Sequence, residues 1–99
     1  MKGSFQKIIS GNKPVLIDFH ATWCGPCKKL SPIMKALSKD VGHKVRIIKI
    51  DIDRNKDLAH KYKIRSVPTL AIFKHGKIVW QASGFKTKAQ LINIVNMHA

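Results

Sequence analysis

Two cysteines separated by two residues, in the segment Cys24-Gly25-Pro26-Cys27, constrain the fold more than any other feature of the chain. An apolar run at residues 15–19 precedes the pair, and residues 26–39 carry apolar side chains at helical spacing. Pro26 fits the first turn of a helix, where a missing backbone N–H does no harm. The sequence therefore places both sulfur atoms at the start of a helix that follows a buried strand.

Apolar periodicity predicts four helices and four strands along the chain. Helices are expected at residues 4–10, 26–39, 57–62 and after Thr87, and strands at residues 15–19, 44–53, 70–73 and 77–82. His75-Gly76 suits a two-residue turn, so the last two strands should be antiparallel, whereas the first two flank a helix and should be parallel. We expect an α/β fold in one domain over residues 1–99, with a mixed four-stranded sheet and helices on both faces.

Net charge is +14, from 19 basic and 5 acidic residues among 99. The basic residues are spread along the chain and are not interleaved with aromatic residues that could stack on bases, so we predict no specific nucleic-acid binding. A solvated lysine-rich surface that steers acidic partners is the favoured interpretation. No apolar stretch approaches a membrane span and no signal segment is visible at the N-terminus, so we expect no membrane association and a cytoplasmic location.

The cysteine pair suits thiol–disulfide exchange, because the positive end of a helix dipole stabilises a thiolate. Cys24, at the exposed helix start, should attack a disulfide, and Cys27, one turn inward and more buried, should resolve the mixed disulfide. A zinc site that recruits His20 and His43 is the main alternative, but a second pair of cysteines is lacking. An inert buried pair is the remaining alternative.

Asp18 interrupts the apolar run that precedes the cysteines. Burial should raise the pKa of its carboxyl, which would make it a base for the proton of Cys27. Lys49, in the neighbouring strand, could partner Asp18. The alternative is a surface acid on an edge strand, and His20 is interpreted first as a tolerated loop residue and second as a group that tunes the thiols.

These features occur together with a set of short motifs in a fixed order. The motifs are Asp18-Phe19, Trp23-Cys24-Gly25-Pro26-Cys27-Lys28, Lys49-Ile50-Asp51, Val67-Pro68-Thr69 and Gly84. Over nearly its whole length the chain resembles the thioredoxin family. The resemblance implies a monomeric protein-disulfide reductase without metal or bound cofactor, which takes electrons from thioredoxin reductase and reduces disulfide-containing proteins.

The resemblance also implies roles for individual residues. Cys24 would attack, Cys27 would resolve, and Asp18 would relay the proton with Lys49 beside it. Val67-Pro68 would contain a cis peptide bond facing the cysteines, and the Val67 backbone would pair with an extended substrate. An apolar substrate surface would comprise Trp23, Gly25, Pro26, Gly84 and Phe85, although core filling is an alternative role for Trp23.

Two departures from the family pattern affect these expectations. His20 stands where the family usually has an aromatic residue. We expect the family's usual first strand to be missing, so that the strand at residues 44–53 becomes an edge of the sheet.

Two other functions stay open from the residues alone. One is a redox-dependent protein-binding module with little turnover of its own, which would keep its partner after both cysteines are replaced. The other is a basic nucleic-acid-associated protein whose thiols are incidental, which would bind with a steep dependence on salt.

Overall fold

A computed structural model describes residues 2–99 and contains the eight predicted elements in the predicted order. The helices are α1 (Lys2–Ile9), α2 (Gly25–Val41), α3 (Lys56–Lys61) and α4 (Lys88–His98). The strands are β1 (Val15–His20), β2 (Arg46–Asp51), β3 (Thr69–Lys74) and β4 (Lys77–Ser83). β2 is shorter than expected because Val45 N–H bonds the Val41 carbonyl in a turn, and Asp53 N–H bonds the Asp51 side chain beyond the strand.

The four strands form one mixed sheet in the order β2-β1-β3-β4. β1 is parallel to β2 and antiparallel to β3, and β3 forms an antiparallel hairpin with β4. The hairpin turn is His75-Gly76, in which both residues have positive φ values of 53° and 80°. β2 lies at an edge of the sheet, as predicted, and β4 lies at the other edge.

Each face of the sheet is covered by two helices. α1 and α3 bury Phe5, Ile9 and Leu58 against one face, on which Phe19 and Phe73 lie. α2 and α4 cover the opposite face, with the buried side chains Leu16, Leu30, Met34, Leu37, Leu70, Ile72, Leu91 and Val95. Alternate residues of β1 therefore belong to different layers, and the even-numbered ones face α2. The predicted α/β class, with helices on both faces, is confirmed.

Helices α2 and α4 begin at capping side chains. Cys24 is the N-cap of α2, with Pro26 in the first turn. Thr87 caps α4 in a reciprocal capping box with Gln90, at 3.2 Å and 2.9 Å. Within residues 2–99 no helix combines the length and apolar character that crossing a membrane requires.

Candidate active site

The two cysteines form a disulfide at the N-terminus of α2, with their Cα atoms 5.3 Å apart. Cys24 has extended backbone angles, and its Sγ accepts a hydrogen bond from the Cys27 N–H at 3.2 Å. A backbone N–H that no helical carbonyl can reach is thus directed at this sulfur. The same geometry would stabilise negative charge on Cys24 once the disulfide is reduced.

Cys24 is 4% exposed, so the expectation of an open sulfur at the helix start is wrong for the disulfide form. Ile52 and Val67 pack against the cysteines together with the buried Ala21. The Val67 carbonyl oxygen lies 3.6 Å from Cys24 Sγ and covers it from a loop 43 residues away in sequence. Cys27 is 5% exposed, so it is buried, but it is not more buried than Cys24 as the sequence predicts.

The loop that covers Cys24 contains a cis peptide bond between Val67 and Pro68. Its position beside the sulfur agrees with the expectation from the sequence. The Pro68 carbonyl accepts a hydrogen bond from Gly84 N–H at 2.8 Å, which joins this loop to the end of β4. Gly84 has φ +94°, a backbone conformation that residues with a Cβ rarely adopt, so glycine is favoured there.

Apolar and glycine residues surround the disulfide on the surface. Trp23 is 68% exposed, so the core-filling interpretation of this residue is wrong, and Phe85 is 45% exposed. Gly25 and Pro26 are also exposed. The Trp23 indole Nε1–H donates to Asp53 at 2.9 Å, a contact that sequence reasoning missed. Because β1 and β2 are parallel, the segments that follow both strands meet at one end of the sheet. The predicted parallel pairing therefore already indicates that Trp23 and Asp53 lie close together.

Asp18 is fully buried within β1, so the alternative of a surface acid is wrong. Neither carboxylate oxygen has a hydrogen-bond partner among residues 2–99. Burial raises the pKa of the Asp18 carboxyl above its ordinary value, while the charges of His20 and Lys49 oppose the shift. A proton is therefore held on this carboxyl at a higher pH than on an exposed aspartate.

Lys49 is aligned with Asp18 across the β1–β2 pairing. Its ammonium group nevertheless donates to Ser31 Oγ at 2.9 Å, and no Asp18–Lys49 ion pair forms. Lys49 thus acts on Asp18 through its charge. A direct hydrogen bond between the two side chains, the simplest partnership that the sequence suggests, does not form. Ser31 was not foreseen, because its contact depends on how α2 crosses β2.

A shallow cleft of about 320 Å³ opens between α2 and the ends of β1 and β2. Its lining residues are His20, Ala21, Thr22, Cys27, Lys28, Ser31 and Lys49. His20 belongs to β1 and is half-buried at this cleft, so its interpretation as a loop residue is wrong. Within the described residues no cluster of three or more potential metal ligands occurs.

A family model described as Thioredoxin matches residues 1–97 of the chain. The chain belongs to the thioredoxin family. Thioredoxin of Bacillus subtilis is 46% identical over 84 residues, which are 85% of this chain and 81% of that protein. Thioredoxin of Chlamydia trachomatis is 48% identical over 84 residues, with the same shares of the two chains.

Solved thioredoxin structures share the fold. The crystal structure of Malassezia sympodialis thioredoxin superposes with a TM-score of 0.90 at 35% identity, covering 97% of this chain and 84% of that one. A thioredoxin variant from Halobacterium salinarum superposes with a TM-score of 0.88 at 35% identity, covering 96% and 82%. With the bonded Cys24–Cys27 pair, these relationships make the chain a thiol-disulfide oxidoreductase that acts as a protein-disulfide reductase.

Proposed function

We propose that Cys24 is the attacking thiol and Cys27 the resolving thiol of the reductase. The Cys24 thiolate attacks one sulfur of a substrate disulfide, forms a mixed disulfide with it and displaces the other sulfur as a thiolate. Cys27 then attacks Cys24 Sγ, releases the remaining substrate sulfur and leaves the Cys24–Cys27 disulfide. The observation that carries this assignment is the N-cap position of Cys24, whose sulfur receives the Cys27 N–H at 3.2 Å.

Asp18 serves in this mechanism as the base that takes the proton from Cys27. A carboxyl whose pKa is raised by burial exchanges protons nearer to neutral pH than an ordinary aspartate. Lys49 tunes that carboxyl by its charge from the facing position on β2. The cleft that Cys27 shares with His20 and Lys49 gives the proton a route to solvent.

The substrate occupies the surface next to Cys24. Its backbone pairs with Val67, as an added strand pairs with a free edge, beside Pro68 and Gly84. Trp23, Gly25 and Pro26 supply the remaining contacts. Support comes from the closeness of Val67 to Cys24 Sγ and from the exposure of Trp23.

Electrons reach the disulfide from thioredoxin reductase. Support comes from a Mycobacterium leprae protein named bifunctional thioredoxin reductase/thioredoxin, which is 39% identical over 88 residues, covering 89% of this chain and 19% of that protein. We further propose that residues 1–99 act as one domain and as a monomer, since a partner copy must not cover the substrate surface. A reductant of this kind works in the cytoplasm, where thiols stay reduced.

Single cysteine variants test the assignment of the two thiols. Cys24→Ser should abolish insulin reduction, whereas Cys27→Ser should accumulate a covalent adduct with the substrate that mass spectrometry detects. A Cys27→Ser protein that turns over normally, or a Cys24→Ser protein that forms the adduct instead, would contradict the order of attack.

Asp18→Asn tests the base by separating the two exchange steps. Rapid mixing of the reduced protein with a disulfide peptide should show nearly normal formation of the mixed disulfide and release slowed by about tenfold or more. Equal slowing of both steps would show that Asp18 does not serve Cys27.

A further inference from the structure

A second concave surface lies beside the disulfide, between α3 and the loop that leads to β3. It has a volume of about 400 Å³. Its floor is apolar and consists of Ile52, Ala59 and Ile64, and its rim consists of Lys56, His60, Lys63 and Arg65. We refer to these seven residues as the basic pocket. None of them has a part in the exchange mechanism described above.

Local geometry gathers the four basic side chains on one rim. Lys56 and His60 are four residues apart on α3 and so share a face of the helix. Lys63 then adopts a left-handed backbone with φ 55°, and Ile64 N–H bonds the Ala59 carbonyl at 2.8 Å. The chain therefore folds back against the helix, and Arg65 joins the same rim. A glycine would adopt the left-handed turn with less strain than Lys63, which instead adds a charge.

The lining of the basic pocket carries positive charge. No acidic residue lines the basic pocket. Asp57 lines a neighbouring concavity with Leu58, His60 and Lys61. Among residues 2–99 the salt bridge that forms is Lys88–Asp40, which lies on other helices. An anionic ligand would meet several cations together, whereas a cationic ligand would be repelled.

The basic pocket adjoins the position where a substrate disulfide reacts. Ile52 of its floor also packs against the cluster that contains Cys24 and Cys27. Arg65 of its rim lies two residues before Val67 in sequence. The Val67 carbonyl oxygen lies 3.6 Å from Cys24 Sγ. An extended polypeptide advances about 3.3 Å per residue. We therefore expect the substrate residues that neighbour the reacting cysteine in sequence to reach the pocket.

We propose that the basic pocket binds an acidic segment, with an apolar side chain among its acids, that neighbours the reacting cysteine of a protein partner. The carboxylates meet Lys56, Lys63 and Arg65, and the apolar side chain covers Ile52 and Ile64. A polypeptide is favoured over a nucleic acid because no aromatic residue lines the pocket to stack on bases. This inference rests on the proposed attack by Cys24, since it concerns which substrates reach that residue.

Paired peptides test the proposal directly. Two disulfide-linked homodimeric peptides would carry either a Glu-Glu-Leu or a Gln-Gln-Leu block, placed before or after the cysteine. The protein is reduced beforehand, and each reaction converts its dithiol to the Cys24–Cys27 disulfide while releasing two peptide thiols. In at least one placement, the second-order rate constant for the acidic peptide should exceed that for its neutral counterpart by about tenfold, and raised salt should reduce the ratio.

A matched pair of triple variants separates the pocket from net charge. The pocket variant carries Lys56→Gln, Lys63→Gln and Arg65→Gln, and the control carries Lys7→Gln, Lys39→Gln and Lys77→Gln, which are exposed and lie outside the pocket. The pocket variant should lose the preference to within about twofold, and the control should keep it. Equal losses in both variants, or a preference that survives in the pocket variant, would overturn the proposal.

The neutral peptide keeps this test separate from the exchange mechanism. If all three proteins reduce it at similar rates, Cys24 chemistry is intact and only the acidic preference is at issue. NMR titration with a cysteine-free acidic peptide should shift the amide signals of Ile52, Ala59 and Ile64. Shifts by a single-stranded oligonucleotide and none by the peptide would overturn the assignment of the ligand.

Discussion

Asp18 and Lys49 face each other on adjacent parallel strands, yet the Lys49 ammonium donates to Ser31 and leaves the Asp18 carboxyl without a hydrogen bond from residues 2–99. A fully buried carboxyl in this situation is costly to ionise. Burial keeps a proton on Asp18 to a higher pH than on an exposed aspartate, and the positive charge of Lys49 partly offsets this rise in pKa. The free energy of unfolding and the pH dependence of mixed-disulfide release should therefore both depend on Asp18 and Lys49.

Asp18→Asn should stabilise the folded protein at about pH 8 relative to the wild type. The pKa of Asp18 is raised in the native state, so the native protein binds a proton more tightly than the unfolded chain. The free energy of unfolding of the wild type should then fall as pH rises from the unfolded value, about 4, through the native pKa. Asparagine lacks this dependence, and the variant should differ little from the wild type at low pH.

Urea unfolding of the disulfide form at about pH 4 and pH 8 measures this difference. Asp57→Asn, at an exposed aspartate on α3, keeps Asp18 and is the control, so its stability should follow that of the wild type at both pH values. An Asp18→Asn protein that is less stable than the wild type at pH 8 would contradict the prediction.

Lys49→Gln should shift the pH dependence of mixed-disulfide release to higher pH. The Lys49 charge lowers the pKa of Asp18 and thereby opposes the effect of burial. Without that charge the carboxyl would hold its proton to a higher pH, so release at neutral pH should slow by about two- to fivefold. Rate–pH profiles of the release step would measure this, with Lys39→Gln on the same helix as Ser31 as the control. A shift to lower pH would be inconsistent with the proposed role.

Asp53→Ala should raise KM for a protein disulfide by about fivefold or less, with little change in kcat for a small disulfide. The Asp53 carboxylate accepts the indole N–H of Trp23 at 2.9 Å and fixes the orientation of a ring that is 68% exposed. Insulin reduction at varied substrate concentration measures the effect. Asp57→Ala removes an equal charge nearby, and a similar rise in KM for that control would attribute the change to charge instead of ring orientation.

Thr87→Ala should lower the free energy of unfolding by about 1 kcal/mol without changing insulin reduction. The Thr87 hydroxyl accepts a hydrogen bond from the Gln90 N–H at 3.2 Å, and Gln90 Oε1 accepts one from the Thr87 N–H at 2.9 Å. Alanine at position 87 leaves the Gln90 N–H without its partner and removes half of the capping box. Thr87→Ser retains the oxygen and should lose little stability. If urea unfolding gave the serine and alanine variants the same loss, the cap would not be the cause.

The element order could be predicted from sequence because each element carries its own signal. Leu30, Met34 and Leu37 lie at helical spacing, and the turn at His75-Gly76 separates two apolar runs. The strand at residues 44–53 was predicted too long, since apolar residues alone do not show where β1 stops offering backbone partners. Strand ends depend on the neighbouring strand, which a local pattern does not contain.

The motif predicts which residues belong to the candidate site, but it does not predict their surroundings. The sequence predicts a solvent-exposed Cys24, whereas the Val67 loop, 43 residues away in sequence, covers it. Lys49 was expected beside Asp18, and its side chain is long enough to reach Ser31 instead. Contacts of this kind are decided by tertiary packing between segments distant in sequence, so neither spacing nor periodicity could reveal them.

Two backbone hydrogen bonds attach the β3–β4 turn to the last residue of α1 and to the loop that follows it. His75 N–H bonds the Gly11 carbonyl at 3.2 Å, and Gly76 N–H bonds the Ile9 carbonyl at 2.7 Å. A foreign loop grafted into this hairpin would remove both bonds and loosen the C-terminal end of α1, which would then be held to the sheet by the packing of Phe5 and Ile9. Although it is a short surface turn, it is therefore a poor choice as an insertion site for epitopes or fluorescent reporters.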